Sequence, residues 1–242
     1  MHVAYPGMQL TIIPVTPFRQ NCSILWDEAT RRALVVDPGG DVQTLLAFVA
    51  DKGLEVETIA LTHGHLDHAG GVAALCRGLV AQGQPAPEVV GPTQEDAFLL
   101  SSIVDQARHF GLTDLENAQV DRYTQDGDTL HVVGRALRVL HVPGHTPGHV
   151  VLVDEQARVA FVGDVLFRGT VGRTDFAYGD GPLLVRSIKE KLLPLGDDIV
   201  IIPGHGGASS LVAERAGQGR AYVLARLWPQ NARYGCGLLG RA

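Results

Sequence analysis

Cysteine is scarce: Cys22, Cys76 and Cys236 are the only three in 242 residues, far apart and odd in number. That excludes a disulfide framework and is ordinary for a reducing compartment. No segment carries a sustained basic run and the formal net charge is -6, so the electrostatic footprint of a nucleic-acid partner is missing and a metal-dependent nuclease is disfavoured. Long apolar runs are missing too. The opening stretch, MHVAYPGMQLTIIPVTPF, has neither a basic leader nor an apolar segment long enough for a signal peptide or a membrane span. The expectation is a cytoplasmic protein with no membrane partner. After Glu214 there is no aspartate or glutamate, while Arg215, Arg220, Arg226, Arg233 and Arg241 accumulate among glycines.

What is present suffices for a sizeable core, since 45% of the residues are apolar. Residues 9–15, 22–26 and 33–36 are short β-rich runs ending in Asp37-Pro38-Gly39-Gly40, a meander of three strands. Val42, Leu45, Leu46 and Val49 make a helical stripe with Asp41 as its expected N-cap and Gly53 as its close. A strand over 58–61 follows, then a helix from about Ala69 to Gln82, a strand at 88–90, and a helix capped by Thr93 that runs to about Phe110. The second half repeats this grammar, with strands at 130–133, 136–142, 149–153 and 159–162, a helix over 183–193 and a last strand at 198–202. Two runs of mostly antiparallel strands, each followed by helices, predict an α/β (α+β) fold: two sheets face to face with helices outside, a four-layer αββα sandwich. The expected division is a domain over 1–212 and an arginine- and glycine-containing extension over 213–242, with two helical turns between Ala221 and Trp228.

The stretch LTHGHLDHAGG, Leu61 to Gly71, packs three of the ten histidines and an aspartate into six consecutive positions. His63 and His65 alternate, so extended backbone leaving a strand points both imidazoles to one side, where one cation takes both. Asp67 and His68 follow as the chain curls into a helix and aim at a second point, which suits paired cations about 3.5 to 4 Å apart. Each further candidate directly follows an apolar strand. Residues 138–142 lead through Pro143-Gly144 to His145, residues 159–162 to Asp164, and residues 199–202 to His205. Strand ends at a common sheet edge converge on one cleft. Counting coordination assigns His63, His65 and His145 to a first metal, Asp67, His68 and His205 to a second, and Asp164 to a bridge between them.

A bridging hydroxide would be the nucleophile, oriented by Asp67, and its electrophile an ester, thioester or lactam carbonyl; no serine or cysteine nucleophile is needed. His141 and His149 are expected to pack beside the ligands rather than to bind metal, and His2, His109 and His131 lie outside any cluster. Asp37 also ends a strand, where it can bond a ligating histidine. Mixed imidazole and carboxylate ligands suit zinc, iron and manganese alike.

The HxHxDH run His63 to His68, the GHTPGH run Gly144 to His149, Asp164 and the PGHG run Pro203 to Gly206 resemble, in that order, the metallo-β-lactamase fold superfamily. More narrowly, VVDPGGD, LTHGHLDHAGG, HVPGHTPGHVV, GDVLFRGTVGRTDF and PLGDDIVIIPGHG are similar, over roughly Leu10 to Ser210, to the small single-domain type II glyoxalases of bacteria. The resemblance implies a metallo-β-lactamase-like sandwich and two divalent metal ions, zinc first, with iron or manganese as alternatives. It implies hydrolysis of a glutathione thioester, S-D-lactoylglutathione, to D-lactate and glutathione, the second step of methylglyoxal detoxification. True β-lactamases of the superfamily lack an acidic bridge at the place of Asp164. Persulfide dioxygenases are similar in the GRTDF segment, here Gly172 to Phe176; that resemblance would give His63, His145 and Asp164 a single iron and glutathione persulfide as substrate. The PGHG loop with His205 favours the two-metal hydrolase. Larger type II glyoxalases carry a lysine and a tyrosine at the places that align with Arg173 and Asp175, and bind glutathione through a C-terminal helical domain that does not fit after Ser210. Arg173 is then either a substrate anchor or the ion-pair partner of Asp175.

Overall fold

The computed structural model describes residues 2–5 and 7–216, and its principal sheets have six strands each. The first follows chain order: β1 (His2–Tyr5), β2 (Met8–Val15), β3 (Gln20–Asp27), β4 (Arg32–Val36), then β5 (Glu55–Ala60) and β6 (Glu88–Val90). Helix α1 (Val42–Lys52) crosses from β4 to β5, and helices α2 (Leu66–Ala69) and α3 (Val72–Ala81) cross from β5 to β6, which makes both strand pairs parallel. Helices α4 (Ala97–Leu100) and α5 (Ile103–His109) lead towards the second sheet. That sheet contains β7 (Thr129–Val132), β8 (Arg135–His141), β9 (Val150–Asp154) and β10 (Val159–Gly163). A small hairpin, β11 (Leu166–Phe167) with β12 (Thr170–Val171), and helix α6 (Gly181–Ser187), prolonged by a π-type turn over Ile188–Leu192, precede β13 (Val200–Pro203) and β14 (Ser209–Ser210).

Alternation along the strands sorts the core into three apolar layers, as four stacked layers require. In β3, Cys22, Ile24 and Trp26 face Leu45 and Val49 of α1 and Leu75 and Leu79 of α3. Leu25 turns the other way, into the space between the sheets with Leu152 and Phe161. In β10, Val159 and Phe161 fill that space, while Ala160 and Val162 pack on Leu184, Ile188 and Leu192. The expected four-layer αββα arrangement is the one the chain adopts.

Strand direction places the site. β8 and β10 are both antiparallel to β9, and β13 is parallel to β10, so all three run the same way. Their C-terminal ends, with those of β4 and β5, open on one edge of the sandwich, where ligands collect in sheets with parallel strands.

Several local expectations change. Asp41 stands at the N-cap of α1, but with φ at 48° its carboxylate accepts from the Thr16 N–H at 2.7 Å instead of capping its own helix. The helix expected from Ala69 breaks at Gly70-Gly71, where the chain packs so closely on Pro38 that a Cβ on Gly71 would lie 2.5 Å from the Pro38 carbonyl oxygen. The helix expected from Thr93 to Phe110 is three short pieces, a 3-10 turn at Gln94–Asp96 followed by α4 and α5. The Thr93 hydroxyl bonds Glu95 rather than capping, and the Asp96 side chain turns inward. At the far end, residues 211–216 are helical; Glu214 accepts from the Gly169 N–H at 2.7 Å and Arg215 donates to the Leu193 carbonyl at 2.7 Å. The helical turns expected over 221–228, and Cys236, lie outside the described residues.

Candidate metal centre

The predicted ligands lie on four segments that follow the C-terminal ends of strands, and the structure brings all seven together. His63 and His65 follow β5, and the short helix α2 then lifts Asp67 and His68 to a second point. His145 follows β8, Asp164 follows β10 and His205 follows β13. Nδ1 of His65 lies 3.1 Å from Nε2 of His63 and 3.0 Å from Nε2 of His145. Nε2 of His205 lies 3.3 Å from Oδ2 of Asp67. The donor atoms of His63, His65 and His145 fall within 4.8 Å of one another, as do those of Asp67, His68 and His205. Asp164 stands between these groups, with Oδ2 3.7 Å from His145 and 3.6 Å from His205, and Oδ1 3.4 Å from His68.

Outer hydrogen bonds decide which nitrogen of each ring is bare. The Thr62 hydroxyl donates to Asp37 at 2.7 Å and therefore accepts from Nδ1–H of His63 at 3.0 Å. Nδ1–H of His145 donates to the Arg173 carbonyl at 2.7 Å. Two ring lone pairs thus point at Nδ1 of His65, whose other nitrogen lies 2.8 Å from the Tyr178 hydroxyl. Nδ1–H of His68 donates to Asp37 at 2.9 Å, as the strand-end placement of Asp37 allowed. Nε2 of His68 and Oδ1 of Asp164 are buried without a hydrogen-bond partner among the described residues. Leaving such atoms unpaired costs about 1–3 kcal/mol each, and cations held by the converging donors remove that cost. The residues present therefore fit two metal ions.

Electrostatics separates the two groups. Burial, with His68 nearby, pushes His63 well below the ordinary histidine value, burial and His145 push His65 down to about 3, and burial lowers His145. Burial also works against the imidazolium of His68, but Asp164, Asp67 and Asp37 hold it well above the ordinary value; Asp164 and Asp67 raise the half-buried His205 in the same way. Against burial, His68 and His205 hold the carboxyls of Asp67 and Asp164 below the usual range. The first group is all imidazole, and carboxylate joins imidazole in the second.

The remaining candidates fall beside the centre. Nε2 of His149 accepts the Asp164 N–H at 3.0 Å, and Nε2–H of His141 donates to the Pro147 carbonyl at 2.7 Å; neither joins a donor group. Arg173 makes the ion pair, donating to both oxygens of Asp175 at 2.7 and 2.8 Å. Sequence reasoning missed Asp96, whose buried carboxylate accepts from Gly64 N–H at 2.9 Å, Gly148 N–H at 2.6 Å and the Thr146 hydroxyl at 2.7 Å, stapling the two histidine loops together. Burial outweighs these bonds and pushes Asp96 up to about 6. It also missed Asn21, which donates to the carbonyls of Pro203 at 2.9 Å and Gly206 at 2.8 Å and so frames His205. Its sole signal is a polar residue at the start of an apolar strand. Gly204 is required between them, because a Cβ there would lie 2.2 Å from Oδ1 of Asp164.

Comparison with known proteins points the same way. The family model of the metallo-beta-lactamase superfamily matches residues 15–205. Hydroxyacylglutathione hydrolase GloC of Haemophilus influenzae is 43% identical over 209 residues, which cover 86% of this chain and 95% of that protein. Two solved structures are also similar. BLEG-1 B3 metallo-beta-lactamase has a TM-score of 0.77 at 30% identity, covering 86% of this chain and 96% of that one. TTHA1623 in a di-iron-bound form has a TM-score of 0.74 at 33% identity, covering 85% and 96%. The stretch shared with the family, 15–205, begins where β2 ends and closes on His205, so it is the stretch that builds the cleft: the chain belongs to the metallo-beta-lactamase superfamily and is a metal-dependent hydrolase.

Proposed function

We propose that the chain hydrolyses glutathione thioesters, S-D-lactoylglutathione to D-lactate and glutathione, at a dinuclear centre. His63, His65 and His145 would hold one divalent ion, Asp67, His68 and His205 the other, and Asp164 would contribute to both. One observation carries this reading: the second donor group is complete, with its three donor atoms within 4.8 Å of one another. A single-iron oxygenase of glutathione persulfide would need His63, His145 and Asp164 and leave that group idle. Bound there, two divalent ions supply a water acidified to near neutral pH and a Lewis acid for the thioester carbonyl.

The chain's own part is positioning. Asp67, 3.3 Å from His205, would orient the attacking water by hydrogen bonding. The His205 side chain is 31% exposed whereas that of His68 is fully buried, so the thioester reaches the centre from the His205 side. The name of the relative GloC supports a hydroxyacyl thioester of glutathione, and the seven candidate ligands all fall within residues 1–212, the proposed hydrolase domain. Zinc is our first choice of metal, with iron or manganese suited to the same donors; the di-iron form of TTHA1623 keeps iron in view. The free thiols of Cys22 and Cys76 accord with a cytoplasmic role in methylglyoxal detoxification. Elemental analysis of protein purified without added metal, run beside a thiol-release assay on S-D-lactoylglutathione, tests the reading. Two metal equivalents and thioester cleavage are expected; one iron per chain with oxygen uptake on glutathione persulfide would overturn it.

A further inference from the structure

The two donor groups differ in what stands behind them. His68 is held from behind by Asp37, a buried carboxylate at the end of β4. Behind the first group stands a loop, residues 172–180, which supplies the outer partner of two of its three rings. The Arg173 carbonyl receives His145 at 2.7 Å, and the Tyr178 hydroxyl meets Nε2 of His65 at 2.8 Å.

The loop is built to hold those two atoms still. It begins at Gly172, packed so tightly that a Cβ would lie 1.8 Å from the Asp164 carbonyl oxygen. It ends at Asp180, whose N–H donates to the Gly144 carbonyl at 2.8 Å and whose carboxylate caps α6 by accepting from the Leu183 N–H. Between these anchors the two-bond ion pair of Arg173 with Asp175 stiffens the chain, and the Arg173 guanidinium sits 4.6 Å over the Phe176 ring. Phe176 stacks on Tyr178 at 5.2 Å and leans on the His65 ring at 4.9 Å, while Phe98 meets Tyr178 edge-on at 5.4 Å. The phenol therefore has little freedom to leave His65.

A phenol both donates and accepts, and the rest of the cluster decides which it does here. Nε2 of His63 and of His145 are already bare and aimed at Nδ1 of His65. For His65 to join them as a ligand, its proton must reside on Nε2, and a proton there needs an acceptor. We propose that Tyr178 is that acceptor and thus a positioning residue: it fixes the His65 ring with Nδ1 bare towards the first group, so the 172–180 loop sets the affinity of one ion and leaves the other to the buried core. This rests on the metal-binding reading above.

The test is a metal titration of metal-stripped protein with zinc against a chromophoric chelator, comparing wild type, Tyr178→Phe and His65→Ala. His65→Ala identifies which equivalent belongs to the first group. Tyr178→Phe keeps the ring stack and removes the acceptor; it should weaken that same equivalent by about 10–100-fold and leave any other unchanged. Asp175→Asn, which loosens the loop without touching a ligand, should shift it in the same direction by less. Wild-type affinity in Tyr178→Phe, equal weakening of both equivalents, or no equivalent lost in His65→Ala would each overturn the assignment. If wild type takes up one ion only, the dinuclear reading falls, while the comparison of Tyr178→Phe with His65→Ala still decides the role of Tyr178.

Discussion

The two halves of the molecule bring donors to the cleft in different ways. The first sheet commits four, His63, His65, Asp67 and His68, on one loop and a single short helix after β5. The second commits three, His145, Asp164 and His205, each from the end of a different strand. A compact loop places its side chains by local geometry, so its donors survive or fail together. Dispersed donors depend on sheet register and on neighbours that fix each loop separately, which is why Asn21, Asp96 and His149 gather around them. Losing one dispersed donor should therefore be as damaging as losing a compact one, provided it stands between both groups.

Asp164 is the sharpest instance. Asp164→Ala removes a carboxylate that faces both groups, and kcat/KM for the thioester should fall by more than about 10³-fold with loss of the paired metal. A variant turning over at the wild-type rate would show that the second half contributes no indispensable donor. Metal removal is next in size. If both halves close on ions, chelation should lower the melting temperature and added zinc restore it, with a stabilisation of about 4 kcal/mol per site when free metal exceeds Kd 1,000-fold. A melting curve indifferent to chelator would mean that the halves hold together without them.

The Asp96 staple ties the loop of the first half to the His145 loop, and its pH dependence can be signed. In the fold its carboxyl is raised to about 6, against about 3.9 in an unfolded chain, so the native state binds the proton more tightly. The stability this group contributes is fully present below about pH 4 and is lost as pH rises through about 6, by at most about 3 kcal/mol. Asp96→Asn does not titrate, so its denaturant midpoint should decline less than that of wild type across this window; parallel profiles would place the titration elsewhere. The smallest effect is expected from Asn21→Ala, where a first-half residue frames a second-half donor. It leaves the carbonyls of Pro203 and Gly206 without their side-chain donor and should cost about 1–3 kcal/mol of stability, with weaker zinc retention measured alongside.

The same contrast explains what was legible beforehand. The first-half donors were readable because four of them fall within six positions, and period-two and helical spacing translate directly into direction. His145, Asp164 and His205 were readable because each follows an apolar run, although nothing local says that those runs share an edge; that follows from β8, β10 and β13 pointing the same way. The helix boundaries around Gly70 and Thr93 were not readable, because tertiary packing on Pro38 and the inward turn of Asp96 overrode local preference. Tyr178 and Asn21 act through bonds to partners more than a hundred positions away, which no window of sequence contains.

The seam between the sheets has a mechanical consequence. Asn21 N–H bonds the Gly204 carbonyl at 2.7 Å, and Val150 N–H bonds the Thr62 carbonyl at 2.8 Å, so stitches cross from each sheet to the other directly beneath the cleft. Sliding one half past its mate would break both of these bonds. The loops that carry the donors therefore rise from a floor that is knit across both sheets by main-chain bonds.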